Sequence, residues 1–288
     1  MLISLEGLEN PIAFDGADDL VAVLKAVLRG WNVREVADSK APPKIRMSLG
    51  PRGYERRSPW LDAGTAVALH DPVDAVCDLL LDIERAYVED APARGEGPLS
   101  VLHAAAVEMG SGDHKGLVLF PSTHATGKSL LTVALAHAGH RVFADDQVPI
   151  QSGKRTEGLA PGVLVRVRRP LPDGLDAELA DYVRTQAGPE SARFRYVNLG
   201  NAGLASLGSR APVNGIVLLE RADGAKPAIT VAPEAEVPKA CVLQNFGRKQ
   251  NALQILDTLH AMVQGAKCVK LTYADAPQAV ALLEEAFA

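Results

Sequence analysis

The residues of this chain best equipped for chemistry lie in one run, Pro121-Ser-Thr-His-Ala-Thr-Gly-Lys-Ser129, which follows the apolar segment Gly116-Leu-Val-Leu-Phe120. A phosphate-binding loop reads G-x-x-x-x-G-K-[ST]; its backbone N–H groups surround phosphates, its lysine reaches the terminal phosphates and its hydroxyl meets Mg²⁺. Gly127, Lys128 and Ser129 fit that pattern, while Ser122 stands at the position of the first glycine. Thr123, His124, Ala125 and Thr126 fill the loop and are candidate phosphate contacts alongside Gly127, Lys128 and Ser129. A helix N-terminus favours anions in any protein, so the motif carries weight through its context. Here an apolar strand precedes it, and Leu130 to Ala138 continues it with helical composition before Gly139.

Adjacent carboxylates follow 16 residues beyond Ser129, in Arg141-Val-Phe-Ala-Asp-Asp146. One acid at a strand tip beside a phosphate loop can hold Mg²⁺, and its neighbour can orient or deprotonate an attacking hydroxyl. Successive side chains of an extended chain point apart, which suits two separate tasks. Asp145 and Ser129 are the candidate metal ligands, and Lys128, Asp145, Asp146 and His103 the candidate catalytic set. His103 enters because its strand, if beside the Asp-Asp strand, would let the imidazole pair with Asp146. Arg166, Arg168 and Arg169 offer further phosphate contacts, with alternation sending Arg166 and Arg168 to one face. Arg210, in a turn-like segment, is a comparable candidate.

The elements that must position these groups read as two units. Residues 1–95 form a small mixed α+β accessory domain, with strands at 2–5 and 45–49 and helices at 18–28 and 72–88. The second helix has a full start signal: Asp71 as cap, Pro72 in the first turn and Asp74 beside the positive helix end. A Pro/Gly-bearing stretch, 90–98, reads as a linker. Residues 96–288 form the nucleotide-binding domain, with strands expected at 117–120, 141–144, 163–167, 194–197, 215–219 and 268–272. Helices are expected at 176–186, 251–263 and 277–286. The class is α/β, with a mixed sheet at least as well supported as a parallel one.

Composition bounds the function. The chain has 288 residues, 47% of them hydrophobic and 23% charged, and a formal charge of −5. It can bury a large core, and it has no general attraction for nucleic acid or an anionic membrane. Three scattered cysteines, Cys77, Cys241 and Cys268, form no metal-spaced cluster and suggest a reducing, cytoplasmic location. The first ten residues lack a signal-peptide pattern, and no apolar run is long enough to span a membrane.

His103, the loop at 122–129 and Ala138-Gly-His-Arg-Val-Phe-Ala-Asp-Asp146 together resemble the core of the HPr kinase/phosphorylase family. Weaker likeness extends through Ser209 to Arg221 and Leu271 to Glu285. The resemblance implies a phosphoenolpyruvate-carboxykinase-like P-loop core with a mixed sheet and flanking helices, binding ATP and Mg²⁺. It implies Asp145 as base or metal-linked acid, and Asp146 supported by His103. The glycine-rich segment that the family uses to engage its protein substrate is not found, and residues 1–95 do not match its usual amino-terminal domain. The expected activity is ATP-dependent phosphoryl transfer to a hydroxyl of a small metabolite. An HPr-like protein serine kinase/phosphorylase, acting on a carrier protein, and a catalytically weak nucleotide sensor or scaffold are the alternatives. The family's symmetric oligomers leave a homo-oligomer open.

Overall fold

The computed structural model describes residues 1–61, 68–122, 126–246 and 251–288. The amino-terminal part contains β1 (Leu2–Leu5), β2 (Ile12–Asp15), α1 (Leu20–Val27), β3 (Val33–Val36), β4 (Ile45–Gly50), β5 (Gly53–Arg57) and α2 (Pro72–Glu89). Its sheet has the order β3-β1-β2-β4-β5, with β2 and β4 parallel and the other neighbours antiparallel. The helix at 72–89 begins as its sequence dictates: the Asp71 carboxylate accepts hydrogen bonds from Val73 N at 2.8 Å and Asp74 N at 3.2 Å. Three strands of this sheet escaped the sequence reading. Each has four or five residues, too short for an alternating pattern to declare itself.

The remainder runs β6 (Leu99–Met109), β7 (Gly116–Pro121), α3 (Lys128–His137), β8 (Arg141–Ala144), β9 (Gln147–Gln151), β10 (Glu157–Leu159) and β11 (Val165–Arg168). It continues through α4 (Ala177–Thr185), β12 (Ala187–Glu190), β13 (Phe194–Val197), α5 (Gly200–Gly203), β14 (Arg210–Arg221) and β15 (Ala228–Val231). It ends with α6 (Glu236–Leu243), α7 (Ala252–Gly265), β16 (Lys267–Tyr273) and α8 (Ala276–Ala286). The large sheet has the order β10-β9-β6-β7-β14-β16-β15, with β8 also paired to β6. β7, β14 and β16 are mutually parallel and the rest antiparallel, so the chain is an α/β protein with a mixed sheet. β10 pairs with both β9 and β14, which closes β9, β6, β7, β14 and β10 into a ring. A separate antiparallel sheet, β11-β13-β12, stands beside the loop helix.

Burial explains the central position of β6 and β7. Ala104, Ala105, Ala106, Val107, Leu117 and Leu119 are fully buried, as a strand covered on both faces requires. One hydrophobic cluster runs from Ile3, Phe14 and Leu24 through Leu79 and Ile83 to Phe120, Leu135 and Leu271. Each such side chain contributes about 1.5–3 kcal/mol on leaving water. The stretch expected to be a linker is built into the structure. Residues Ala91–Arg94 form a 3-10 turn, and buried Asp90 accepts hydrogen bonds from Glu9 N at 2.9 Å and Lys44 Nζ at 3.3 Å. A carboxylate with two partners can be buried, and it pins Pro/Gly-bearing chain that composition alone reads as loose. Trp31 Nε1 also donates to Pro161 O at 2.8 Å, and Arg29 to Asn198 Oδ1 at 2.6 Å, tying the first sheet to the chain beyond residue 96.

Candidate active site

The loop leaves the carboxyl end of β7 and enters α3. Gly127 takes φ +85°, a conformation costly for residues with a Cβ. A Cβ there would lie 3.0 Å from Tyr273 Oη and 3.2 Å from Arg221 Cδ. Ser122, at the site of the expected glycine, is buried, and its Oγ accepts a hydrogen bond from Thr126 Oγ1 at 2.9 Å. The departure from the motif thus supplies a side-chain bond that ties the loop's start to its end. Tyr273 Oη donates to Thr126 O at 3.1 Å, holding the loop to β16. Thr123, His124 and Ala125 lie outside the described residues.

Lys128 begins α3 with only 8% of its surface exposed. Its Nζ lies 3.1 Å from His103 Nε2 and 3.9 Å from Asp146 Oδ1. Burial lowers its pKa, opposed by the charges of Asp145 and Asp146. His103, on β6, is 3% exposed, and its Nε2 lies 2.9 Å from Asp146 Oδ1. Its Nδ1 is 2.7 Å from Gln244 Oε1, its backbone N donates to Gln244 O at 2.7 Å, and its ring stacks on Phe246 at 5.2 Å. With Nδ1–H donated to Gln244 Oε1, Nε2 has two uses. It accepts from Lys128 in the neutral ring, or donates to Asp146 in the imidazolium.

The two adjacent carboxylates sit in opposed environments. For Asp146, burial pushes the pKa up, but the hydrogen bond from His103 and the charges of Lys128 and Arg166 overcome it and hold the group well below the ordinary carboxylate range. Asp145 is raised: burial and the charge of Asp146 outweigh Lys128, the Ser129 hydroxyl and Arg166. Its Oδ2 accepts from Arg166 N at 3.4 Å, whereas its occluded Oδ1 has no hydrogen-bond partner among the described residues. Adjacent acids whose affinities for protons are pushed apart suit different roles, one as a fixed anion and the other as a proton acceptor.

Lys128, Ser129, His103, Asp145, Asp146, Arg166, Arg168 and Arg221 line one cleft of about 370 Å³. The structure brings together every described residue of the catalytic and metal sets expected from sequence. Arg169, one residue past the end of β11, does not line the cleft; it donates to Ser191 O at 2.8 Å and pairs with Glu190. Arg210 bonds Gln151 and, at 2.7 Å, Glu96. It does not line the cleft, because the strand containing it starts at the far end of the sheet. A smaller cavity behind the acids, of about 40 Å³, adds two groups from α2, Cys77 and Glu84. Cys77 contacts the Arg166 guanidinium, and burial, reinforced by Asp146, pushes the Glu84 carboxyl up to about 8. Arg166 is held charged by its acidic neighbours against burial, and its guanidinium stands 4.8 Å from the Phe194 ring centroid. Gln244, Phe246, Arg221, Glu84 and Cys77 were not legible as site residues; no spacing rule joins Gln244 to His103, 141 positions apart.

No family model matches the chain, and no curated protein sequence matches it. Among solved structures it is similar to the Hpr(Ser) kinase/phosphatase from Coxiella burnetii, at 13% identity and a TM-score of 0.33. That alignment covers 65% of this chain and 95% of the other. It is a weak likeness to the HPr kinase/phosphatase fold and assigns no family. No helix among the described residues is long and apolar enough to cross a membrane.

Proposed function

We propose that this chain transfers the γ-phosphoryl group of ATP to a hydroxyl of a small metabolite. The observation that carries the reading is the buried lysine of a strand-loop-helix phosphate motif facing two carboxylates of opposed proton affinity. Lys128 and the first turn of α3 meet phosphate charge. Asp145 orients the acceptor hydroxyl and takes its proton. The acceptor oxygen bonds to the γ-phosphorus as the bond to the ADP oxygen breaks. Asp146 remains an anion and keeps His103, Lys128 and Arg166 in register around the cleft.

Ser129 and Asp145 are the residues that would hold Mg²⁺. The unpartnered, buried Oδ1 of Asp145 fits such a cation. Among the described residues no group of three or more His, Cys, Asp or Glu side chains is arranged around a metal position. Mg²⁺ held by Ser129 and Asp145 would supply neutralisation of phosphate charge.

A carrier protein as acceptor is the second reading, favoured by exposed Leu243, Leu253 and Leu256 on α6 and α7, close in sequence to the Gln244 contact with His103. The deciding experiment incubates the full chain with Mg²⁺ and γ-labelled ATP against a metabolite library and against HPr-like proteins. Label in a metabolite supports the first reading; label confined to the carrier protein replaces it with the second. Binding of ATP without transfer to either would make the chain a nucleotide sensor.

A further inference from the structure

The cleft holds more positive charge than its own carboxylates use. Asp146 is already paired with Arg166 at 3.8 Å and Lys128 at 3.9 Å, and lies 2.9 Å from His103 Nε2. Two guanidinium groups on the wall then remain without a carboxylate partner among the described residues, Arg221 and Arg168. Arg221 belongs to the loop side. It lies against Gly127, its Nε donates to Ala274 O at 3.3 Å, and it also lines the adjoining groove of Gly127, Pro172, Tyr273 and Asp275. Arg168 lines the cleft alone, exposed, with no side-chain hydrogen bond or ion pair to any described residue.

The register of β11 says where Arg168 stands relative to the base. The Arg166 backbone N–H donates to Asp145 Oδ2 at 3.4 Å, so β11 passes directly beside that carboxylate. Arg168 is two residues farther on, on the same strand face and displaced by about 6.6 Å along the strand. Phe194, directly opposite Arg168 in the β11–β13 pairing, walls the cleft together with Pro170 and Pro172. The cleft measures about 370 Å³, part of which nucleotide phosphates would fill.

Resting on the phosphotransferase reading, we propose that the acceptor is a small hydroxylated anion, with its hydroxyl at Asp145 and its carboxylate or phosphate on Arg168. A guanidinium fork binds either group through paired N–H donors, and an exposed arginine is free to meet it without first breaking an internal bond. A neutral polyol would leave this cation unused.

The test uses matched three-carbon probes, glycerol, glycerate and glycerol 3-phosphate, titrated calorimetrically into the full chain loaded with Mg²⁺ and a non-hydrolysable ATP analogue. At least one anion should bind tenfold or more tightly than glycerol, and the anion preferred distinguishes carboxylate from phosphate. Arg168→Ala should erase that preference while changing affinity for the analogue less than twofold, and Arg168→Lys should restore part of it. Equal binding of glycerol, failure of both anions to bind, or an Arg168→Ala loss that falls equally on the analogue would overturn the proposal. If the wild-type chain discriminates the anions but does not bind the analogue, the ATP reading fails and the assignment of Arg168 stands.

Discussion

Two cavities lie at opposite ends of the parallel strands β7, β14 and β16, and the larger is not the one suited to chemistry. The cavity at the amino ends measures about 540 Å³ and gathers His114, Lys154, Arg155 and Lys267; the cleft at the carboxyl ends measures about 370 Å³. Both are rich in cations. At the amino end those side chains are exposed, whereas at the carboxyl end Lys128 and His103 are buried against Asp146. Size and positive charge attract an anion, but desolvation is what displaces proton affinities and prepares groups to exchange protons.

The sharpest way to break this contrast is to remove one cation from the carboxyl end and two from the amino end. Lys128→Ala should lower phosphoryl transfer on the order of a thousandfold while the protein still melts cooperatively. Replacing Lys154 and Arg155 together by alanine should change the rate less than about twofold. Comparable losses in steady-state assays of the two variants would erase the distinction. Asp145→Asn should retain ATP binding and lose on the order of a hundredfold in turnover, within the range assigned to a positioned general base. Turnover near wild type would remove Asp145 from that role.

Gly127→Ala sharpens the comparison at the loop. Left-handed backbone costs alanine about 1–2 kcal/mol, and the new Cβ must displace Tyr273 Oη or Arg221. ATP affinity measured by calorimetry should fall about tenfold; an unchanged affinity would mean that the loop does not need this backbone conformation to bind. The smallest effect on turnover is expected at Glu84→Gln, whose readout is stability. Glu84 holds its proton up to about pH 8 in the folded chain and only to the ordinary glutamate range when unfolded, so ionisation opposes folding as pH rises between those values. The variant should therefore gain on the order of a few kcal/mol over wild type at pH 8.5, seen as a melting temperature several degrees higher, and almost nothing at pH 4. An equal gain at both pH values would show that the carboxyl is not held in its protonated form by burial.

Local rules made part of this site readable. The apolar run before the loop, Gly127-Lys-Ser129 and the acids ending the strand at 141–144 follow from composition and spacing within about 30 residues. The Asp71 cap likewise follows from three neighbouring side chains, and the alternation of β11 puts Arg166 and Arg168 on one face. Such features depend on covalent proximity and helix or strand period, which a sequence carries directly. The short strands β2, β3, β5 and β10 were not readable, because two or three alternations do not distinguish a strand from a loop.

What the amino-acid sequence determined by itself was the chemical inventory: a glycine permitting the loop's turn, a lysine and serine after it, and two adjacent carboxylates just past one strand end. Only the tertiary structure decided what those groups became. It set His103 between Lys128, Asp146 and Gln244, brought Glu84 and Cys77 from α2 behind the acids, and left Arg168 without a side-chain partner among the described residues. The physical reason is that a side chain's identity is local, whereas its solvation and charged neighbours depend on segments that folding joins across 25 to 141 residues. Two adjacent aspartates are equivalent in the sequence; burial and neighbouring charge raise the proton affinity of Asp145 and lower that of Asp146.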